Sequence, residues 1–427
     1  MSASRSTYRL LCTPSAVTRL HINLSWKNKL KITSWPTEWF AKFPGLVSIG
    51  LFLNPGSQVK LSAETVSSLP RNLRHLHLGF VDSISDDMLS YLPPFLLTLN
   101  LEKNYRITDR GFKNMPESLE ALHLPENTIT SSHCIPFLPT TLKSLSIRTT
   151  DEISEALVRQ LPALTTLRLC GSVSLPGPSI SSLPTSLKLF NWSLKQGLDT
   201  FEMTLLPTGL VDLTCHILQD PDNTLASLPP GLLRLTITHN TPISEKGIEL
   251  IPRGLTSLEL TSDSSLPSAA IRRLPPNLQY LCLLKNDLWT STDIMDLPSS
   301  IHTLKLGQNA NFSNACFAIL PPSIYFFSCK WNENITSNCI KYAPPSLKRL
   351  ELKVLHVDSD EQPIDFSFPN VITMPRYSRE RTKAGSLIYL RCFDVYLFEL
   401  DSLTGRIRQL DIAPKNVPPF YPGPRVN

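Results

Sequence analysis

LPRNLRHLHL, beginning at Leu69, is the stretch on which the reading of this 427-residue chain turns, because it recurs. LPPFLLTLNL follows from Leu92, MPESLEALHL from Met115, LPTTLKSLSI from Leu138 and LPALTTLRL from Leu161. Further copies begin at Leu183, Leu206, Leu228, Ile251, Leu274, Leu297 and Leu320, and APPSLKRLEL from Ala343 is the last. Successive starts lie 22 or 23 residues apart. Thirteen units this short cannot each close a core alone, so they are expected to stack as a solenoid in which every unit covers its apolar face with its neighbours.

Each position of the unit LPxxLxxLxLxxNxx(I/L)(S/T)xxx(I/L/F)xx has a physical reason. LxxLxL alternates with period two, which predicts a short strand with its leucines turned inward and the residues between them facing solvent. An Asn follows, as in Asn104, Asn127, Asn240, Asn286, Asn309 and Asn332. Its amide can satisfy backbone groups at a turn, which leucine cannot. Ser or Thr after an apolar residue then opens the return segment, as in Ile84-Ser85, Ile107-Thr108, Ile129-Thr130, Ile153-Ser154, Ile243-Ser244, Phe312-Ser313 and Ile335-Thr336. These residues are expected to cap a short helix, with acids in its first turn as in Ser85-Asp86-Asp87 and Ser244-Glu245. The Leu-Pro pair ends that helix, because proline biases the residue before it away from helical geometry.

Composition agrees with a folded repeat. Thirty-seven residues are proline and 16 are glycine, against average shares of about 5% and 7%, so the prolines have fixed positions and do not mark a low-complexity chain. Net charge is +5, too small to argue for nucleic acid, and it is uneven. Residues 1–60 hold eight Lys/Arg against one Glu, including the alternating Lys27, Lys29 and Lys31, which read as a solvated strand face. No apolar run approaches the roughly 18 residues of a membrane span, and the first residues contain no signal-type apolar core. Nine cysteines without a CxxC pair fit reduced thiols in a cytoplasmic or nuclear protein.

The LxxLxLxxN spacing resembles a leucine-rich repeat across residues 69–352. Two divergent units precede it, one at Val17, Leu20 and Ile22 and one at Phe43 to Leu51. LPxxLxxLxL is similar to FNIP-type repeats and to the repeats of bacterial secreted ubiquitin-ligase effectors. ITDRGFKNMP, ISDDMLSYLP and ISEKGIELIP are similar to the cysteine-containing repeats of F-box proteins. The F-N-x-P-I signature is absent, and most units lack the F-box-type cysteine. The resemblance implies an α/β fold: a curved leucine-rich repeat horseshoe with parallel strands on the concave face and short helices or turns on the convex face. Residues 1–60 are then an N-terminal cap containing Trp26, Trp35, Trp39 and Phe40. Residues 61–355 are the solenoid, and 356–427 a C-terminal cap, with strands expected in LIYLRCFDVYLFEL, followed by a partly disordered tail. Between Thr150 and Leu218 the Asn position becomes Thr150, Ser172, Lys195 and Leu218, and two units are one residue short, which reads as degeneration of the repeat or as a bend or binding feature.

No phosphate loop, GxGxxG, HExxH or GxSxG occurs, so the sequence calls for no cofactor and no catalytic site. Cys392-Phe393-Asp394 matches the Cys-x-Asp motif that the bacterial ligases carry beyond their repeats, which makes a ubiquitin-ligase enzyme using Cys392 the alternative reading. It lies in an apolar run that disfavours a thiolate. His75, His77 and His123 share a strand face, but no further ligand is placed to complete a metal site. Cys134, Cys316 and Cys339 occupy one repeat phase and read as core.

The remaining candidate is the concave face, which in such solenoids presents an extended surface to another macromolecule. Its central outward column runs His77, Asn100, His123, Ser146, Arg168, Asn191, Thr214, Thr236, Glu259, Cys282, Lys305, Ser328 and Glu351. Aromatics and arginines anchor interfaces, so partner-binding residues are expected among His77, Asn100, His123, Arg168, Arg234, Tyr280, Phe326 and Arg349. The expected protein is a monomeric, non-enzymatic scaffold for one partner protein, with neither nucleic acid nor membrane as ligand. The F-box resemblance implies a substrate-receptor role in ubiquitin ligation.

Overall fold

The structure is a computed structural model. It describes residues 18–23, 40, 43–352, 372–373, 397–400 and 407–410, except 53–59, 80, 82, 130–131, 150–158, 172–179, 195–196, 218, 240–241, 262–265, 284–287, 308–310, 331–333, 336–338 and 340–341. Sixteen described strands form one parallel sheet in strict chain order, from Arg19–Asn23 and Ser48–Phe52, through His75–Gly79 and its repeats, to Arg349–Leu352 and Ile372–Thr373. The chain is thus an α/β leucine-rich repeat solenoid. Strands stack at about 4.8 Å, whereas helical turns need more width, so the stack curves with the sheet on the inside.

Register follows the repeat. Leu20 pairs with Ile49, Ile49 with Leu76, Leu76 with Leu99, and the row continues to Leu350. Where the side chains are described, both leucines of each LxL are buried, as in Leu76 and Leu78 or Leu304 and Leu306. A buried leucine contributes about 1.5–3 kcal/mol relative to an exposed one, and this contribution recurs at every unit. Phe190, Trp192 and Phe327 occupy the same inward rows and are also buried.

The Leu-Pro element does more than stop a helix. In most units the proline carbonyl accepts from the N–H of the core aliphatic residue three places on, as Pro70 does from Leu73 and Pro298 from Ile301. The hydroxyl just before that core residue stitches neighbouring units together. Ser118 donates to the carbonyls of Pro94 and Leu96, Thr141 to Glu117 and Leu119, Ser186 to Pro162 and Leu164, and Ser300 to Pro276 and Leu278. Backbone carbonyls at this corner, which strand pairing does not reach, are thereby satisfied.

The described return segments are mostly six-residue stretches of 3-10 helix, such as Asp86–Tyr91, Asp109–Asn114 and Ser291–Asp296, with short α-helices at Ala63–Ser67, Thr200–Thr204, Pro221–Ala226 and Glu245–Glu249. The pre-proline residue is held extended, with ψ of 147° at Leu92 and 144° at Leu297, so the turn before it tightens to the 3-10 form. Capping also departs from expectation. Ser85 and Ser313 make no side-chain cap. Thr108 and Ser244 do accept weakly from their own first turns, but their hydroxyls and backbone N–H groups donate to Asp86 and Asp222 of the preceding unit. Thr130, Ser154 and Thr336 lie outside the described residues.

The two short units are absorbed in different places. In one, Leu164 N–H donates to Leu161 O, so Leu161 takes the proline's role and Pro162 moves one place along the turn. In the other, Asp220 caps the helix Pro221–Ala226 from a left-handed conformation, φ 44°, which Asp tolerates better than most residues. The described strands through this region, such as Ser144–Thr149 and Thr166–Gly171, stay in parallel register.

Of the expected asparagine row, the structure describes the side chain of Asn104. It is fully buried, and its Nδ2 donates to Leu78 O at 2.7 Å and to Glu102 O at 3.2 Å, tying one unit to the previous one. The other asparagines of that row, and Thr150, Ser172, Lys195 and Leu218, lie outside the described side chains. So do Trp26, Trp35 and Trp39, while Phe40 is buried. Within the tail, Leu397–Leu400 pairs antiparallel with Ile407–Leu410, and it is Ile372–Thr373 that adds to the last repeat strand.

Candidate interaction surface

Parallel register converts a 22- or 23-residue spacing into columns. One outward column contains His75, Thr98, Asp212, Arg234, Tyr280, Thr303, Phe326 and Arg349. The second contains His77, Asn100, His123, Ser146, Arg168, Glu259, Cys282, Lys305 and Ser328. The eight residues singled out from sequence all lie on these columns, and the structure divides them into three places.

At the N-terminal end, His75 Nδ1 shares a hydrogen bond with Thr98 Oγ1 at 3.1 Å, and Asn100 Oδ1 accepts from Glu102 N–H at 2.9 Å. Both are local satisfactions of polar side chains. Among the described residues no group of three or more His, Cys, Asp or Glu is placed to hold a metal ion.

The centre holds His123, Arg168, Asp212 and Arg234. Arg234 Nε donates to Asp212 Oδ2 at 2.7 Å. Burial presses the Arg168 guanidinium below its ordinary pKa, and the Asp212 carboxylate pulls it back up. His123 is held down to about 4, first by burial and then by the charge of Arg168. His123 is therefore neutral at physiological pH, and the centre carries two guanidiniums sharing one carboxylate.

The C-terminal group is denser in aromatic and charged side chains. Arg349 stacks over the Phe326 ring, with Cζ 4.6 Å from its centroid. The Lys305 ammonium lies 5.1 Å from the Tyr280 centroid and 5.9 Å from that of Phe326, between the two rings. Tyr280 Oη donates to Glu259 Oε2 at 3.2 Å, and the Cys282 thiol hydrogen-bonds the same carboxylate. Burial pushes the Glu259 carboxyl up, against the lowering charge of Lys305 and these two hydrogen bonds. Burial likewise pushes the Tyr280 phenol up, with Cys282 and Glu259 adding to it. Cations over ring faces gain about 0.5–2 kcal/mol each, so the group is pre-arranged. Lys305, Glu259 and Asp212 were not singled out from sequence, since a lone charged residue has no periodicity. Their signal is adjacency in register: Lys305 pairs with Cys282 and Ser328, and the aromatic column runs alongside.

Other features are accounted for by structure alone. Cys134, Cys316 and Cys339 are buried in the return segments, and burial raises their thiols, to about 12 for Cys134 and Cys339. A shallow cavity of about 390 Å³ lined by Glu249, Arg253, Arg272 and Arg273 is internally paired: Arg273 with Glu245 and Glu249, Arg272 with Asp296, and Arg253 with a backbone carbonyl. Cys392 and Asp394 lie outside the described residues. No described helix is long and apolar enough to cross a membrane.

No protein-family model matches the chain, and no curated protein matches it. Among solved structures it is similar to CroV588, a circular leucine-rich repeat protein, at 18% identity and a TM-score of 0.42, over 75% of this chain and 53% of that one. The chain thus spans about half the length of CroV588. It is similar to a chain of the yeast Rad7 and Elc1 complex at 17% identity and a TM-score of 0.47, over 71% and 81% of the two chains. An internalin, InlF, from Listeria monocytogenes matches at 17% identity and a TM-score of 0.36, over 79% and 82%. These are likenesses of fold.

Proposed function

We propose that this chain is a non-enzymatic interaction scaffold that docks another protein on its concave strand face. The observation that carries this reading is the gathering of Tyr280, Lys305, Phe326 and Arg349 into one cation–aromatic group on rigid parallel strands. Such residues are the ones that anchor interfaces, and strands fix them with little ordering cost on binding. Residues 1–60, 61–355 and 356–427 act in this reading as N-terminal cap, recognition solenoid and C-terminal cap with tail. The finer role proposed is that of a substrate-receptor-like component of ubiquitin ligation, supported by the likeness of the ITDRG and ISEKG return segments to F-box protein repeats. Seven cysteines among the described residues stand outside any disulfide, which fits a cytoplasmic or nuclear site of action.

The test is proximity labelling with the full chain, set beside variants in which Arg168→Glu with Thr236→Trp, or Tyr280→Ala with Phe326→Ala, alter the face. Specific partners are expected to be lost from one or both face variants while circular dichroism stays unchanged. Retention of every partner by both refutes the concave reading, and absence of any ubiquitin-ligase subunit among the partners refutes the finer role.

A further inference from the structure

The cation–aromatic group has a charge pattern that specifies more than a generic partner. Lys305 lies half-buried on the concave face, framed by the rings of Tyr280 and Phe326. An ammonium offers three N–H donors, and ring faces satisfy its charge but none of those donors with an oxygen. The nearby acid is already engaged: Glu259 accepts from Tyr280 and from Cys282. Two units along the same face, Arg349 stacks on the other side of Phe326. The result is a part-exposed Tyr280 ring beside the Lys305 ammonium, backed by the buried Phe326 ring with a cation at each side, and, among the described side chains, one internally bonded carboxylate at its edge.

We propose that this part of the concave face receives an acidic segment of a partner protein, with a glutamate or aspartate carboxylate seated on the Lys305 ammonium and the adjoining apolar stem lying on Tyr280, while the buried Phe326 holds the ammonium in place. This inference rests on the concave-face reading and names the chemistry of its partner. A carboxylate supplies what the rings do not, an oxygen acceptor for the ammonium donors, in a partly desolvated place where charge-assisted hydrogen bonds are strongest. A positive group in the ligand would face the Lys305 ammonium at close range, so basic segments are disfavoured by repulsion. A single negative charge suits the site better than a dianion, because Glu259 is close enough to Lys305 to feel its charge.

The assay is fluorescence anisotropy of the full chain with three fluorescein-labelled ten-residue peptides in which leucine alternates with glutamate, glutamine or lysine. The glutamate peptide is expected to bind, weakening steeply with added salt, and the glutamine and lysine peptides to bind at least about tenfold less well. Lys305→Ala is expected to weaken the glutamate peptide about 10- to 100-fold, and Phe326→Leu several-fold. Lys143→Ala, which removes an exposed lysine paired with Glu120 at 2.8 Å, serves as control and is expected to change nothing. Thermal melts of Lys305→Ala and Phe326→Leu keep loss of binding distinct from loss of fold. Equal binding of the glutamate and glutamine peptides, no binding of the glutamate peptide at about 1 mM, or unchanged binding by Lys305→Ala overturns the acidic assignment. If labelled partners are nevertheless lost from the face variants, the concave reading survives that result; if they too are retained, both fall.

Discussion

Replacing Gly247 by alanine tests whether neighbouring units are held together by the carboxylate staple on the convex side. Asp222 Oδ1 accepts from Ser244 N–H at 3.1 Å, and Oδ2 accepts from the Ser244 hydroxyl. A Cβ on Gly247 would stand 2.1 Å from Asp222 Oδ1 and 2.9 Å from a methyl of Ile243, so the carboxylate must leave. Two hydrogen bonds to a charged group at an exposed site contribute about 2–3 kcal/mol together. Alanine in a helix gains about 1 kcal/mol over glycine. Gly247→Ala should therefore destabilise the protein by about 1–2 kcal/mol. In an Asp222→Ala background the carboxylate obstruction is gone and only the Ile243 methyl at 2.9 Å has to give, so the same change should cost at least about 1 kcal/mol less than in the parent. Urea unfolding followed by circular dichroism, with hydrogen exchange at Ser244 to localise the effect in a repeat array, measures this cycle. The staple argument is wrong if Gly247→Ala has the same sign and size in both backgrounds. Gly111 repeats the geometry, with a Cβ 2.6 Å from Asp86 Oδ1, and gives a second cycle in one molecule.

Three further outcomes are expected. Asn104→Ala removes a fully buried amide that donates to Leu78 O and Glu102 O, and should cost about 2–4 kcal/mol by denaturant unfolding; a cost under about 0.5 kcal/mol would mean that water replaces it fully. Trp289→Phe empties the contact in which the fully buried indole Nε1 donates to Leu266 O at 2.9 Å, and should cost about 2–3 kcal/mol, with no loss if the indole hydrogen bond is immaterial. For His123, the folded pKa of about 4 lies below the ordinary 6.5, so between those values the unfolded chain binds the extra proton. Stability attributable to this ring is full above about pH 6.5 and is lost as pH falls toward 4, by on the order of 2–3 kcal/mol. His123→Gln should flatten that part of the profile, and parallel profiles for the two proteins would refute the assignment.

The frame was legible in the sequence because it is periodic. Leu76 and Leu78 announce a strand by alternation, and the 23-residue return of the same pair at Leu99 and Leu101 announces the stacking. The corner hydroxyls and the acid staple were not legible in the same way, although their residues stand in plain view. Ser118, Thr141, Ser186 and Ser300 fall one residue before a core leucine or isoleucine and resemble solvent positions, until the preceding unit brings its carbonyls beneath them. Asp86 and Asp222 have the look of first-turn acids serving their own helices. Their partners, Thr108 and Ser244, stand 22 residues later, and the glycines that make room stand 25 later. Such contacts are fixed by how one unit seats on the next, a relation no local pattern states.

The concave face differs from the frame in a way that bears on function. Every inward position is duplicated along the stack, so its identity is set by packing against copies of itself. An outward residue such as Lys305 or Arg168 is under no such constraint, because its strand is secured by backbone pairing and by Leu304 and Leu306 or Leu167 and Leu169 beneath. Charge can therefore change unit by unit while the strand pairing and the inward rows stay as they are. That independence lets one regular frame hold a central pair of guanidiniums around Asp212 and, a few strands on, an ammonium between two rings. Recognition in this molecule resides in the residues that break the repeat. It is for that reason that Lys305, set between Cys282 and Ser328 in its column, is a position where one substitution should change what is bound while leaving the fold intact.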